Sequence, residues 1–256
     1  MPDGPLVSVV VPTYNERERL GRFVELLAGV LGEARLDGEI VIVDDNSPDG
    51  TGALADTLAA RHPVRVIHRS GKLGLGTAVM AGFAAARGEI LGVMDADISH
   101  PPERLPVLVA ALRQSGADVV IGSRYIPGGG TRNWPASRAV MSRAACLAAR
   151  ALTPVRDAAS GFFVLRRPVI AGVEIKAAGF KICLELLVRG QVGSVLEVPY
   201  LFSDRAAGQS KMNHREALGY LVQLAQLFMW RLSRGAPRPA WRRLSPEEAD
   251  RLAARA

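Results

Sequence analysis

Ile90-Leu91-Gly92-Val93-Met94-Asp95-Ala96-Asp97 is an apolar run of strand length that delivers two carboxylates, one residue apart, at its C-terminal end. Such a run reads as a central strand of a parallel sheet, buried on both faces. Open α/β sheets bind their ligands outside the carboxyl ends of their strands. Asp95 and Asp97 fall there. Two hard oxygen donors at alternate positions can hold Mg²⁺ or Mn²⁺ while substrate phosphate oxygens take the ion's remaining sites. An isolated Asp-x-Asp is more often a pair of turn residues facing water, so the flanking sequence decides.

Upstream, Leu6 to Val11 reads as a strand ended by Pro12-Thr13-Tyr14-Asn15-Glu16, and Leu20, Phe23, Val24, Leu27, Val30 and Leu31 follow at helical spacing. Glu39 to Val43 is a second strand, running into the turn cluster Asp44-Asp45-Asn46-Ser47-Pro48-Asp49-Gly50-Thr51. A helix from Thr51 to Ala60 and a strand at Val64 to His68 complete the next unit. Strands alternating with helices argue a doubly wound, mostly parallel α/β sheet with helices on both faces. Right-handed crossovers put the strand-end loops on one rim. The glycines of Lys72-Leu73-Gly74-Leu75-Gly76-Thr77-Ala78 precede a helix but match neither a P-loop nor the dinucleotide fingerprint, where Val79 stands in place of the third glycine.

Downstream, Ser99-His100-Pro101-Pro102-Glu103 starts a helix, with His100 read as a turn residue. Asp118 to Ser123 is a strand that sends Arg124 and Tyr125 to the rim, and Gly128-Gly129-Gly130 marks a mobile loop. On a helix from Ser137 to Leu152, Arg138 and Ser142 are four apart and share a face. Asp157 to Gly161 reads as a turn, Phe162 to Leu165 as a strand, Phe180 to Arg189 as a helix and Val195 to Phe202 as the last strand. A polar loop with Arg205 and Lys211 follows. From His214 to Arg234 an apolar stripe of Leu218, Leu221, Val222, Ala225, Phe228, Met229 and Leu232 faces away from Arg215, Gln223, Gln226, Arg231 and Arg234. Its uninterrupted apolar length is below the roughly 20 residues a bilayer crossing needs. The stripe either packs on the core or lies on a membrane, and Ala236 to Ala256 reads as a weakly ordered tail.

A length of 256 residues with 48% hydrophobic content suits one large domain. The formal charge of +7 asks for an anionic partner. Aromatic content of 5%, with no basic stripe interleaved with aromatics, argues against nucleic acid. Cys146 and Cys183 lie in apolar helical patterns without paired spacing and read as core thiols. No basic-then-apolar leader stands before the first strand, from which a cytoplasmic protein is expected.

In order along the chain, Val-Pro-Thr-Tyr-Asn-Glu (11–16), Val-Asp-Asp-Asn-Ser-Pro-Asp-Gly-Thr (43–51), Lys-Leu-Gly-Leu-Gly-Thr-Ala (72–78), Met-Asp-Ala-Asp (94–97), Gly-Ser-Arg-Tyr (122–125), Ser-Gly-Phe-Phe (160–163) and the Arg205 to Lys211 loop resemble the inverting glycosyltransferases of the GT-A fold, within them the dolichol-phosphate (polyprenol-phosphate) mannosyltransferases. The resemblance spans Leu6 to Arg234. The chain is expected to divide into a transferase domain over 1–213, an amphipathic helix over 214–235 and a weakly ordered tail over 236–256. By the same resemblance Pro12, Tyr14, Glu16, Val43 and Asp45 line the nucleoside half of a GDP-mannose site, and Asp95, Ala96 and Asp97 meet the diphosphate and its Mg²⁺ or Mn²⁺. Arg124, Arg138 and Ser142 handle phosphate, the last two at the acceptor lipid's head, and Arg205 and Lys211 belong to a loop closing over the donor. Where some members carry a metal-contacting Gln two residues after the second Asp, this chain has Ser99.

The activity so implied is transfer of mannose from GDP-mannose to a polyprenyl monophosphate, with the enzyme peripheral at the cytoplasmic face of a membrane, alone or through a membrane-anchored partner. The alternatives are a glucosyltransferase using UDP-glucose, a transferase with a hydroxyl acceptor, and a nucleotide-binding module without turnover.

Overall fold

The valines of β1 (Val7–Thr13) divide between two cores. Val7, Val9 and Val11 pack into one apolar cluster and Val10 into the other. β2 (Gly38–Asp44) divides in the same way, Ile40 and Ile42 against Val41 and Val43. A strand whose side chains alternate between two dry faces must have helices on both sides. The structure, a computed structural model, describes residues 6–175, 181–203 and 214–254, with the backbone alone for 214–217.

The remaining strands are β3 (Val64–His68), β4 (Ile90–Val93), β5 (Val119–Ser123), β6 (Gly130–Arg132), β7 (Phe163–Arg166), β8 (Ser194–Pro199), β9 (Leu201–Ser203) and β10 (Ala240–Arg243). The helices are α1 (Arg17–Glu33), α2 (Thr51–Ala59), α3 (Leu75–Ala85), α4 (Leu105–Ser115), α5 (Ala136–Ala149), α6 (Ile182–Arg189), α7 (His214–Arg234) and α8 (Pro246–Ala253). One sheet of eight strands runs β10-β8-β5-β7-β4-β1-β2-β3, and β6 and β9 form a separate two-stranded sheet. One face carries side chains from α1, α2, α4 and α8, the other from α3, α5, α6 and α7. α3 approaches β1 closely: a Cβ at Gly82 would lie 2.3 Å from Val10 Cγ1. Cys146 and Cys183 are buried free thiols, as their apolar surroundings suggest.

Seven of the eight strands are mutually parallel, and β7 is antiparallel to both β4 and β5. Phe163 at its start pairs with Val93, the last residue of β4, and with Ile121 in the second half of β5, and Gly122 N–H donates to Phe162 C=O at 2.9 Å. β7 therefore descends from the same rim at which β4 and β5 finish, so the segment leading into it, Asp157 to Gly161, lies on that rim too.

Three expectations change. The Gly128–Gly130 loop leads into β6, paired with β9. The strand expected from Val195 to Phe202 is two: Pro199 lacks an N–H to continue the ladder, and beyond it Leu201 pairs with Gly130 instead. The segment read as a weakly ordered tail supplies β10, which lies parallel to β8 at the sheet edge. It also supplies α8, whose Ser245 accepts from Glu248 N–H while Glu248 reaches back to Ser245 N–H. That reciprocal cap fixes a short helix that propensity alone would leave marginal.

Under the opposite end of β1 and β2, Glu39 is 3% exposed. It accepts from Ser8 Oγ at 2.7 Å, from Arg87 N–H at 2.7 Å and from Arg87 Nε at 3.0 Å. Burial alone would raise its pKa, but these donors outweigh it and hold the carboxyl below its ordinary 4.5. A depressed carboxyl stabilises the fold above its unfolded pKa and loses that contribution as pH falls through the folded one. Glu39→Gln is expected to cost about 1–3 kcal/mol at pH 7, a gap to wild type that closes below pH 4.5. Urea titrations of both proteins across pH 3 to 7 measure it.

Candidate active site

The strand-end loops converge at the carboxyl rim, and each acid of the first turn cluster has its own task. Asp44 binds Thr13 Oγ1 at 3.2 Å, Ser47 N–H at 3.0 Å and Ser47 Oγ at 2.5 Å, so it braces the loop. Asp49 accepts from Thr51 N–H and Oγ and from Arg17 N–H; these bonds override burial and hold its pKa low. Asp45 is buried, paired with Arg69 at 2.8 Å, and accepts from Leu73 N–H at 3.2 Å. Arg69 also bonds Gly74 C=O and Thr77 Oγ1, which latches the glycine-rich turn to β2. Tyr14 is exposed with Lys72 Nζ 4.3 Å from its ring centre, and Glu16 N–H donates to Thr51 Oγ1. Val43 is wholly buried, so its main chain alone reaches the rim; its carbonyl accepts from Thr13 Oγ1. Pro12, beside it on β1, is partly buried.

After β4 the backbone turns sharply. Ile98 has φ +62°, a left-handed conformation that a β-branched side chain resists. The turn brings Ser99 N–H to Asp97 Oδ1 at 3.0 Å and buries the Ser99 side chain. Ala96 is buried between the two aspartates.

His100, expected as a turn residue, is instead buried, stacked on Phe162 with ring centres 5.4 Å apart and edge-on to Tyr200 and Phe202. Its Nδ1 accepts from Asp95 N–H at 3.1 Å. Burial lowers its pKa against the opposing pull of Asp95 and Asp97, so the ring is neutral with its proton on Nε2, 3.8 Å from Asp95 Oδ2. His100 thus holds the first aspartate from both sides. Gly161 passes behind this pair, where a Cβ would sit 3.1 Å from His100 Cε1 and 3.4 Å from Asp95 Oδ2. A side chain there would press on the ring by a few tenths of an ångström.

Opposite stands Arg124, 8% exposed at the end of β5. Its Nε and Nη2 each donate to Asp157 at 2.7 Å, and its backbone N–H adds a third bond at 2.9 Å. Burial would lower the guanidinium pKa, but Asp157 more than reverses it. Cys146 lies 3.7 Å from the same carboxylate, and burial together with that charge pushes its thiol up to about 12. α5 presents Arg138, Met141, Ser142 and Ala145 to one cleft of about 280 Å³, which Asp95, His100, Arg124, Gly161 and Lys181 also line. The Arg138 guanidinium stacks 4.3 Å over Trp134, and Ser142 Oγ accepts from Tyr125 Oη at 2.7 Å.

The structure therefore brings Asp95, Arg124, Arg138 and Ser142 together in one cleft. It sets Pro12, Tyr14, Glu16, Val43 and Asp45 along the neighbouring strand ends. Arg205 and Lys211 lie outside the described residues. Sequence reasoning missed Asp157, Arg69 and Lys181 as site residues, and nothing in their local pattern marks them. Among the described residues no three His, Cys, Asp or Glu side chains cluster as a metal site.

A mostly parallel sheet with helices on both faces, its strand-end loops gathering Asp95, Arg124 and Arg138 at one cleft, has the architecture of a glycosyltransferase of the GT-A type. Sequence comparison gives the family: Glycosyl transferase family 2 matches residues 8–172, and the chain belongs to it. It is 43% identical over 228 residues to "Dolichol-phosphate mannosyltransferase" of Pyrococcus furiosus, covering 88% of this chain and 64% of that one, so it spans just under two thirds of that relative's length. "Polyprenol monophosphomannose synthase" of Mycolicibacterium smegmatis is 45% identical over 225 residues, covering 82% of this chain and 83% of the relative. A mannosyltransferase from Pyrobaculum calidifontis, solved in complex with GDP-Man and Mn²⁺, shares the fold with a TM-score of 0.63 at 20% identity, over 100% of this chain and 71% of that one.

Removing one partner of a buried ion pair leaves an uncompensated charge and costs about 3–5 kcal/mol. Asp157→Asn is expected to destabilise the protein by that amount, whereas Cys146→Ala, which keeps the pair, costs less. Denaturant titration of the two variants tests the order.

Proposed function

We propose that the chain transfers mannose from GDP-mannose to a polyprenyl monophosphate, giving a β-linked mannosyl phosphate with inversion at the anomeric carbon. The observation that carries the reading is the cleft itself, where Asp95 faces Arg124, Arg138 and Ser142 beside an uncovered apolar surface. The names of the 43% and 45% identical relatives support donor sugar and acceptor alike.

The uncovered surface belongs to α5 and α7, joined where Tyr220 Oη donates to Ala145 C=O at 2.8 Å. α7 turns Tyr220, Gln223 and Leu227 inward, and Gln223 Nε2 donates to the Glu185 carboxylate at 3.0 Å. Leu218, Leu221, Val222, Phe228, Met229 and Leu232 are exposed, as are Val140, Met141 and Leu147 on α5. Gln223, expected on the outer side, is thus a buried contact, and the apolar stripe points away from the protein. Among the described residues no helix is long and apolar enough to cross a membrane. An amphipathic helix with its apolar side outward suits the headgroup region of a bilayer. A lipid acceptor resides there.

A phosphate monoester has its second pKa near 6, so at neutral pH the acceptor is already a nucleophilic dianion. One of its oxygens forms the new bond to the anomeric carbon as the carbon–diphosphate bond breaks, and the nucleoside diphosphate leaves with that electron pair. No proton passes to the protein. The cleft matches this: its one histidine among the described residues is buried and engaged by Asp95. Arginines grip phosphate through paired donors, which suits Arg138 to this acceptor, while Arg124, with Nε and Nη2 committed to Asp157, keeps its remaining Nη1 for it. Asp95 and Asp97 offer the oxygen donors that Mg²⁺ or Mn²⁺ prefers, leaving the other coordination sites to substrate. When bound, such an ion offsets charge developing on the departing diphosphate.

Turnover of GDP-mannose and of UDP-glucose, each against a polyprenyl phosphate and the corresponding free alcohol, tests the reading. GDP-mannose with the phosphate is expected to react and the alcohol not, and Asp97→Asn is expected to lower kcat by about 10²-fold or more. Preference for UDP-glucose would favour the glucosyltransferase, and reaction of the alcohol a hydroxyl-acceptor enzyme.

For the membrane contact, the protein is expected to float with anionic phospholipid vesicles at low salt. Changing Leu221, Phe228, Met229 and Leu232 together to Ser should leave it in the dense fraction without altering its circular dichroism. Flotation of the quadruple variant at the wild-type level would assign the surface to something other than lipid.

A further inference from the structure

Lys181 lines the cleft with Asp95, Arg124, Arg138 and Ser142, on the residue that precedes α6. Burial, with the Arg124 charge beside it, drives its ammonium pKa below the ordinary lysine value, and the more weakly acting Asp95 and Asp157 do not restore it. Among the described residues no carboxylate or carbonyl accepts a hydrogen bond from this ammonium group. Glu185, one turn along, is already committed to Arg189 at 3.1 Å and to Gln223 at 3.0 Å. A partly buried cation next to a second cation, without a counter-ion of its own among the described residues, is unfavourable to hold. The helix behind it adds to the same sign of field. α6 starts at Ile182, itself a lining residue, with no side-chain cap, and its first intrahelical bond is Glu185 N–H to Lys181 C=O. A helix N-terminus without a side-chain cap favours an anion.

Arg124, by contrast, reaches the cleft with its charge already balanced by Asp157. A monoester dianion carrying nearly two negative charges needs a cation that the protein has not neutralised. We infer that Lys181 is a third cation of the acceptor site, its ammonium binding an oxygen of a phosphate monoester dianion alongside Arg138 and Ser142. The inference rests on the phosphate-acceptor reading given above. It makes Lys181 the residue that distinguishes a terminal phosphate from a neutral head.

Steady-state kinetics of the full chain, varying farnesyl phosphate and GDP-mannose in turn, tests it with Lys181→Met, Lys181→Arg and, for reference, Arg138→Ala. Lys181→Met is expected to raise the KM for farnesyl phosphate about 10-fold or more while that for GDP-mannose stays within about 2-fold, and Lys181→Arg to recover part of the loss. Because the substitution removes a cation that sits beside Arg124 without an ion pair of its own among the described residues, its melting temperature should equal or exceed that of wild type. If the Met variant does not fold, Lys181→Gln serves in its place. An unchanged acceptor KM overturns the inference. So does a rise confined to the donor KM, which would put Lys181 on the diphosphate, or a fall in kcat alone. Wild type that fails to use farnesyl phosphate overturns the acceptor reading itself, and the role of Lys181 with it, whereas an active wild type with an indifferent Met variant overturns the role of Lys181 alone.

Discussion

The pairing of Arg124 with Asp157 is the constraint from which the site is assembled. Asp157 is wholly buried and Arg124 nearly so, and two charges removed from water are tolerable only when geometry and further hydrogen bonds are both good. Here both are supplied from a distance in sequence. Glu197, on β8, accepts from the backbone N–H groups of Arg156 at 2.9 Å and Asp157 at 3.0 Å, and Trp241 Nε1 on β10 donates to it at 2.7 Å. The main chain that carries Asp157 is pinned before the carboxylate meets the guanidinium. Arg124 therefore keeps one fixed orientation in the cleft instead of the many that a solvated arginine samples.

The other wall follows a different rule. Asp95 is held by a neutral ring through one backbone bond and a close Nε2 approach, inside an aromatic cluster of Phe162, Tyr200 and Phe202. One wall is rigid through charge pairing and the other through packing. The strained φ of Ile98 sits between the two aspartates' strand and this aromatic anchor, where burial of Ser99 and His100 on its C-terminal side over-determines the turn.

Much of this was legible from residue patterns. The alternation of strand and helix, the apolar run ending in Asp95 and Asp97, and the four-residue spacing of Arg138 and Ser142 each have a local physical cause, and the structure places all of them on one rim. The partners that make those residues work were not legible, because each comes from far along the chain: Asp157 is 33 residues from Arg124, and Arg69 is separated from Asp45 by a whole helix and strand. The antiparallel β7 was hidden because Phe163–Arg166 is as apolar as a parallel core strand. For α7, spacing identified the apolar stripe but not the direction in which it points. That direction depends on Glu185 of α6, which draws Gln223 inward.

The place of β10 at the edge of the large sheet has a consequence for solubility. Without it, Ser194 to Glu197 of β8 would present an open row of N–H and C=O groups next to Val195, Leu196 and Val198, a template for strand addition by another chain. β10 closes that row and offers Arg242 and Arg243 at the new edge, while β3 at the far edge carries Arg65. Both margins of the sheet thus carry charged side chains, although Arg242 is paired with Glu248 and Arg65 with Glu39, and charged edges disfavour strand addition. Residues 240–243 thus cover an edge of the sheet as well as bracing the cleft through Trp241.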